Sequence, residues 1–137
     1  MTIVRACSFA WALSGALIFG QNFRPETTRI IPSVDGSQLY KTYCVSCHGV
    51  DGKGGGPMAQ TLKSRLPDLT RIARRNRGKF PLERIERIIS GEEPETPAHG
   101  SREMPVWGPI LSQIEWDMDV GRVRIENLAK YLQQMQQ

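Results

Sequence analysis

The pentad Cys44-Val45-Ser46-Cys47-His48 constrains this chain more than any other feature. Two thiols separated by two residues and followed at once by a histidine form the pattern of covalent c-type haem attachment. The thiols add across the two haem vinyl groups, and the intervening pair of residues sets the sulfur separation. His48, next in line, is held under the iron and supplies one axial nitrogen. Three other readings fit less well. A thioredoxin-like dithiol calls for a strand before the motif and a helix after it. Here a helical pattern precedes it and a glycine-rich loop, 49–56, follows. A structural zinc site calls for a second pair of ligands at short spacing, whereas the chain holds 3 Cys and 2 His in all. A disulfide across two residues leaves His48 unexplained.

A length of 137 residues suits one domain plus a leader. Residues 1–20 read as a secretory signal, with Arg5 as its charged region and an uncharged, mostly apolar run over 6–20. That run is short of the roughly 20 apolar residues of a spanning helix, so cleavage near Ala16 or Gly20 is expected over retention. Cys7 precedes most of the apolar run and is read as a small apolar residue within it. Export agrees with the motif, because bacterial c-haem attachment is completed outside the cytoplasm. Residues 21–32 form an aperiodic connector, and residues 33–137 the domain.

The formal net charge is +4, and removing residues 1–20 takes away Arg5 alone, leaving +3. Lys63, Arg65, Arg71, Arg74, Arg75, Arg77 and Lys79 form a basic stretch relieved by Asp68. Glu92, Glu93 and Glu95 form one acidic cluster, and Glu115, Asp117 and Asp119 another. Such runs are commonly solvated surface. The functional reading is a charge asymmetry that orients docking through Arg71, Arg74, Arg75, Arg77 and Lys79. Nucleic acid is excluded as a partner, since the run carries no interleaved aromatics and no binding motif.

The remaining pattern is helical throughout. A first helix is expected near Asp35, with Gln38 completing a variant capping box, and Leu39, Tyr40 and Tyr43 giving it an apolar face. The glycines of 49–57 suit a backbone wrapped closely around a flat, bulky group. A short helix is expected over 70–76, stopped at Gly78. A clearer one runs from Pro81 to Ser90, with Leu82, Ile85, Ile88 and Ile89 on one face and Gly91 as its stop. The last helix is expected after Asp119 as N-cap, running to about Met135, with Val123, Ile125, Leu128, Leu132 and Met135 on its apolar side.

For the sixth coordination position the residues favour Met104. It stands in an aperiodic stretch stiffened by Pro105 and Pro109, between two expected helices, and can cross the far haem face. Met118 and Met135 read as core filler, and Met58 follows the glycine loop too closely. His99, between Pro97 and Gly100, is the alternative axial ligand.

The chain resembles the class I monohaem cytochromes c of bacteria. The matching residues are Gly36 and Tyr40 before the pentad, Cys44-x-x-Cys47-His48-Gly49, the loop ending at Pro57, Met104-Pro105, and the last helix with Leu128 and Tyr131. The resemblance covers about residues 33–137. It implies an all-α fold of helices wrapped around one covalent haem c, with the first and last helices crossing and Gly36 allowing their close approach. It implies a Pro57 carbonyl that accepts from His48 Nδ1–H, which fixes the ring, and Tyr40, Tyr43 and Trp107 packed against the haem. It departs from the family pattern in the 56 positions between His48 and Met104, which include an insert over 92–100.

The expected function is a periplasmic one-electron carrier, not an enzyme. It would meet a redox protein donor and an acceptor transiently, as a monomer, and touch a membrane only through an uncleaved leader or a membrane complex. The alternatives are a haem subunit of a larger redox complex, and a haem enzyme or sensor with an open sixth position.

Overall fold

The computed structural model describes residues 31–93, 104–112 and 118–137. The leader, residues 21–30 of the connector, Glu95, His99, Glu115 and Asp117 lie outside the described residues. Among the described residues all regular structure is helical.

Asp35 starts the first helix. Its carboxylate accepts from the Gln38 N–H at 2.8 Å and from the Ser37 hydroxyl at 2.6 Å, occupying donors the first turn leaves open. The cap is therefore Asp35 with Ser37, and Gln38 takes part through its backbone. Helix α1 (Gly36–Leu39) passes into a wider π-turn (Tyr40–Cys44) and then α2 (Val45–His48). Single-turn π-bulges of this kind cluster at functional sites, and this one ends on the first cysteine of the pentad. Further on, a 3₁₀ turn (Leu69–Arg71) leads into α3 (Ile72–Arg75). Helix α4 (Leu82–Ser90) buries Ile85 and Ile89 and ends on Gly91, whose φ of 85° suits a residue without a side chain.

Two elements differ from the sequence reading. Helix α5 (Trp107–Ser112) occupies part of the stretch taken as aperiodic. Trp107, Ile110 and Leu111 give it an i, i+3, i+4 face, too short to stand out beside Pro105 and Pro109. Helix α6 (Met118–Gln134) starts earlier than expected, so Asp119 lies in its first turn, where a carboxylate suits the helix dipole. The face turned inward is Gly121, Arg124, Ile125, Leu128, Ala129 and Leu132, while Val123 is exposed.

Helix α6 is the scaffold against which α1, α4 and α5 all pack. The crossing with α1 depends on Gly36. A Cβ there would collide with the Asn127 carbonyl oxygen and lie 2.9 Å from the Tyr131 Cβ, so two backbones meet where a side chain would stand. Tyr40 stacks at a tilt on Tyr131, with ring centroids 5.4 Å apart. The chain end closes the other side. Gln136 accepts from the Ala73 N–H at 2.8 Å and donates to the Leu69 carbonyl at 2.9 Å, and the Gln137 N–H reaches the Thr70 carbonyl at 2.9 Å.

Gly36→Ala is expected to lower holoprotein stability by about 1–3 kcal/mol in denaturant unfolding, the cost of overpacking a site whose neighbours are backbone. Gly55→Ala, where an added Cβ meets no atom within 4 Å, should stay close to wild type.

Candidate functional site

The end of the π-turn and α2 bring Cys44, Cys47 and His48 to the edge of two adjoining apolar cavities. The first holds an empty volume of about 500 Å³ and runs between α4, α6 and the 3₁₀ turn, against Ile85, Ile88, Ile89, Leu69, Leu128 and Leu132. The second, of about 620 Å³, is walled by the segment Leu62–Pro67, with Tyr43 and Cys47 opposite. They share four lining residues: Cys44, His48, Met104 and Trp107. The structure thus brings Met104 to the same slot as the pentad, from 56 positions further along the chain.

Cys44 and Cys47 are free thiols. Burial, reinforced by neighbouring Cys47, pushes the Cys44 thiol up to about 12. A dithiol used for exchange needs the opposite shift, toward thiolate at neutral pH. Structural metal sites need more ligands, and no group of three His, Cys, Asp or Glu residues among the described residues could hold a metal ion. A half-buried neutral thiol beside an apolar slot fits a cysteine that becomes a thioether.

The loop after His48 is shaped by the pentad's own carbonyls. Gly54 donates to the His48 carbonyl at 2.8 Å, Gly56 to Cys47 at 3.1 Å and Met58 to Ser46 at 2.8 Å. Gly56 is what lets the loop come so close. A Cβ there would collide with the Ser46 carbonyl oxygen and lie 2.5 Å from that of Val45 and 2.6 Å from that of Cys47. Tyr40 donates from its hydroxyl to the Gly49 carbonyl at 2.8 Å, fixing the start of the loop. Burial, with Cys44 and Tyr131 nearby, raises the phenol well above its ordinary value, so it stays a donor.

Tyr43 and Trp107 stack at 5.4 Å between centroids, joining the pentad helix to α5, and the Tyr43 hydroxyl accepts from the Ile31 N–H at 2.7 Å. Pro57, implied as the carbonyl partner of His48 Nδ1–H, stands in the loop beside the pentad, where the next N–H, that of Met58, is committed to the Ser46 carbonyl.

The basic stretch proves to be partly a built feature. Arg71, Arg74 and Arg75 converge with Lys53 and Arg65 on a groove around Asp68. Arg75 donates to the Asp68 carbonyl at 2.8 Å, and Arg71 pairs with its carboxylate at 3.4 Å. The Thr70 hydroxyl and N–H beside Asp68 hold its carboxyl below the ordinary range. Arg65 and Leu66 line both this groove and the second cavity. Arg77 and Lys79 are exposed and do not line the groove. Sequence reasoning missed Lys53, which stands in the glycine loop outside the run. It also missed the wall 62–67, whose apolar members are spaced at no regular period.

A helical shell that turns two thiols, an imidazole and a thioether toward one apolar slot defines a haem-based electron carrier as the class of this protein. The family model of cytochrome c matches residues 33–136, and the chain belongs to that family. Neither the curated proteins nor the solved structures contain a match to it. Among the described residues no helix is long and apolar enough to cross a membrane.

The lining makes the haem-free state costly, since large apolar walls then face water or each other poorly. Removal of the attachment chemistry in Cys44→Ala/Cys47→Ala is expected to give a chain without cooperative thermal melting by circular dichroism. A sharp, native-like transition in that variant would contradict this.

Proposed function

We propose that the chain is a periplasmic one-electron carrier, with one haem c attached at Cys44 and Cys47 and ligated by His48 and Met104. The observation that supports this most is the shared lining of the two cavities, which puts His48 and Met104 on one slot. When bound, the haem supplies a ferric/ferrous couple. The chain does the rest. His48, next to Cys47 on a helical turn, presents its ring at a fixed distance from the attachment point. Met104 offers a soft, neutral thioether, which favours the ferrous state and raises the potential relative to a second histidine. The apolar walls from α4 and α6 keep water from the slot. With His48 and Met104 both turned to the slot, the chain would leave no open site for small ligands, and little would need to move when the electron does.

Export rests on the leader pattern and on where c-haem attachment is completed. Partner docking is assigned to the groove of Lys53, Arg65, Arg71, Arg74 and Arg75. It adjoins the slot through Arg65 and Leu66, so an anionic surface seated there comes close to the redox centre. Brief, salt-sensitive encounters over a small interface are expected for such a carrier.

The ferric holoprotein should show the weak red-edge absorption band of a methionine–iron bond, and Met104→Ala should abolish it while ferrous protein begins to bind carbon monoxide. A missing band in the wild type would instead favour His99 or an open iron.

The groove is tested with hexacyanoferrate(III), a small anionic oxidant. Arg71→Glu/Arg74→Glu should slow oxidation of the ferrous protein about tenfold at low ionic strength and flatten its salt dependence. Equal rates for both proteins at low salt would remove the groove from the approach path.

A further inference from the structure

Arg124 is the one charged side chain among the most deeply buried residues described, at 1 % exposure. It occupies an inward position of α6, where an apolar residue would normally stand. A buried charge is tolerated only where it is paired or hydrogen-bonded. Here Nη1 donates to the Leu111 carbonyl at 2.9 Å and Nε to the Ser33 carbonyl at 3.1 Å. The first bond ends in α5 and the second ends just before the Asp35 cap of α1.

These two carbonyls belong to the two segments that feed the site. Leu111, itself 1 % exposed, lies on the short helix that opens at Trp107, three residues beyond Met104. Ser33 leads into the helix that carries the pentad. The same end of α5 is closed by a second contact. Gly121 of α6 stands so near Ser112 that a Cβ would collide with the Ser112 hydroxyl oxygen and lie 3.0 Å from its Cα. That hydroxyl in turn donates to the Gly108 carbonyl at 2.8 Å. Helix α5 has only six residues, too few to hold its position alone. It is held by Arg124 and Gly121 of α6, by Trp107 against Tyr43, and by Gly108 set close to the Ser90 carbonyl of α4.

We propose that Arg124 is a positioning residue for the axial methionine: by holding α5 to α6, its guanidinium keeps Met104 on the iron against competing ligands. This rests on the His48/Met104 reading above. It goes beyond it, because neither composition nor the family pattern assigns a role to a buried arginine here.

The test uses ferric holoprotein and imidazole, which binds iron only when the methionine has left. Its apparent affinity therefore reports the fraction of molecules with Met104 off. Arg124→Met keeps the length and loses every donor. It should retain the red-edge band yet bind imidazole about tenfold more tightly, the scale of one charge-assisted hydrogen bond. Arg124→Lys, which keeps the charge and can reach one carbonyl, should fall between. Gly36→Ala is the control for general loss of stability, since it loosens the α1/α6 crossing away from α5. It should lower the melting temperature and leave imidazole affinity unchanged. If Arg124→Met yields no holoprotein, Gly121→Ala is the second probe, since it displaces α5 from the same helix, and the same tightening is expected.

Imidazole affinity in Arg124→Met and Gly121→Ala no greater than in Gly36→Ala would overturn the proposal and leave the ligation reading intact. A wild type without the red-edge band would overturn both.

Discussion

The apolar slot beside α2 is the constraint on which the rest of the structure depends. A domain of about a hundred residues buries a modest core, and much of the apolar surface of this one faces a cavity. Ile85, Ile88 and Ile89 of α4, Leu128 and Leu132 of α6, and Leu69 all line it. Around its rim the backbones meet closely, α1 on α6 at Gly36, α5 on α6 at Gly121 and α5 on α4 at Gly108. A flat group filling the slot would be the largest apolar body in the molecule, so cofactor and core are one object here. Holding the cofactor and holding the fold are then the same physical task, and covalent attachment at two cysteines makes the association permanent.

The parts of this arrangement that were legible in the sequence are those where chemistry or periodicity is local. Cys44, Cys47 and His48 are contiguous, and their types and order alone specify a task. Asp35 and Gly91 mark helix ends through short-range backbone needs, and α4 carries its isoleucines at plain helical spacing. What was not legible depends on tertiary contact. Helix α5 is only six residues long, so its apolar face never completes two turns, and proline neighbours mask it. Arg124 looks in sequence like one more surface charge, since α6 also carries Arg122 and Lys130 on its exposed side. Only the fold shows that position 124 shares the stripe of Gly121, Leu128 and Leu132. The groove around Asp68 likewise needs Lys53, which comes from a different loop and joins the basic run only in space.

Charge is sorted along the same lines. Among the described residues the inward faces of α4 and α6 carry one buried cation, and it donates to two carbonyls, those of Ser33 and Leu111. The exposed Arg65, Arg71, Arg74 and Arg75 gather instead on one groove bordering the second cavity, where Asp68 partly offsets them at close range. Glu93, on the far side of α4, is bridged by Arg84 at 2.7 Å and Arg87 at 3.4 Å, and these hold its carboxyl below the ordinary range. That pairing leaves the acidic cluster less free to act as a field than its sequence suggests, and it ties the chain down just after Gly91. The basic groove, with five cations around one carboxylate, keeps a net field. Among the described residues the asymmetry expected from sequence therefore survives on the basic side and is softened on the acidic side.

The two proposed iron ligands differ in how they are held, and the difference decides where the site can fail. His48 is bound to its place by covalent sequence: it adjoins Cys47 on one helical turn, and the loop from Gly54 to Met58 is bonded to that turn's carbonyls. Moving the histidine means breaking the attachment helix itself. Met104 has no such tether. It reaches the slot because α5 is stationed by Arg124, Gly121 and the Trp107–Tyr43 stack, each a contact between segments distant in the chain. Thioether–iron bonds are weak beside imidazole–iron bonds, so the less firmly held side also carries the weaker ligand. On the proposed ligation, loosening of α5 would therefore appear first as loss of the methionine, with haem, histidine and most of the helical shell still in place.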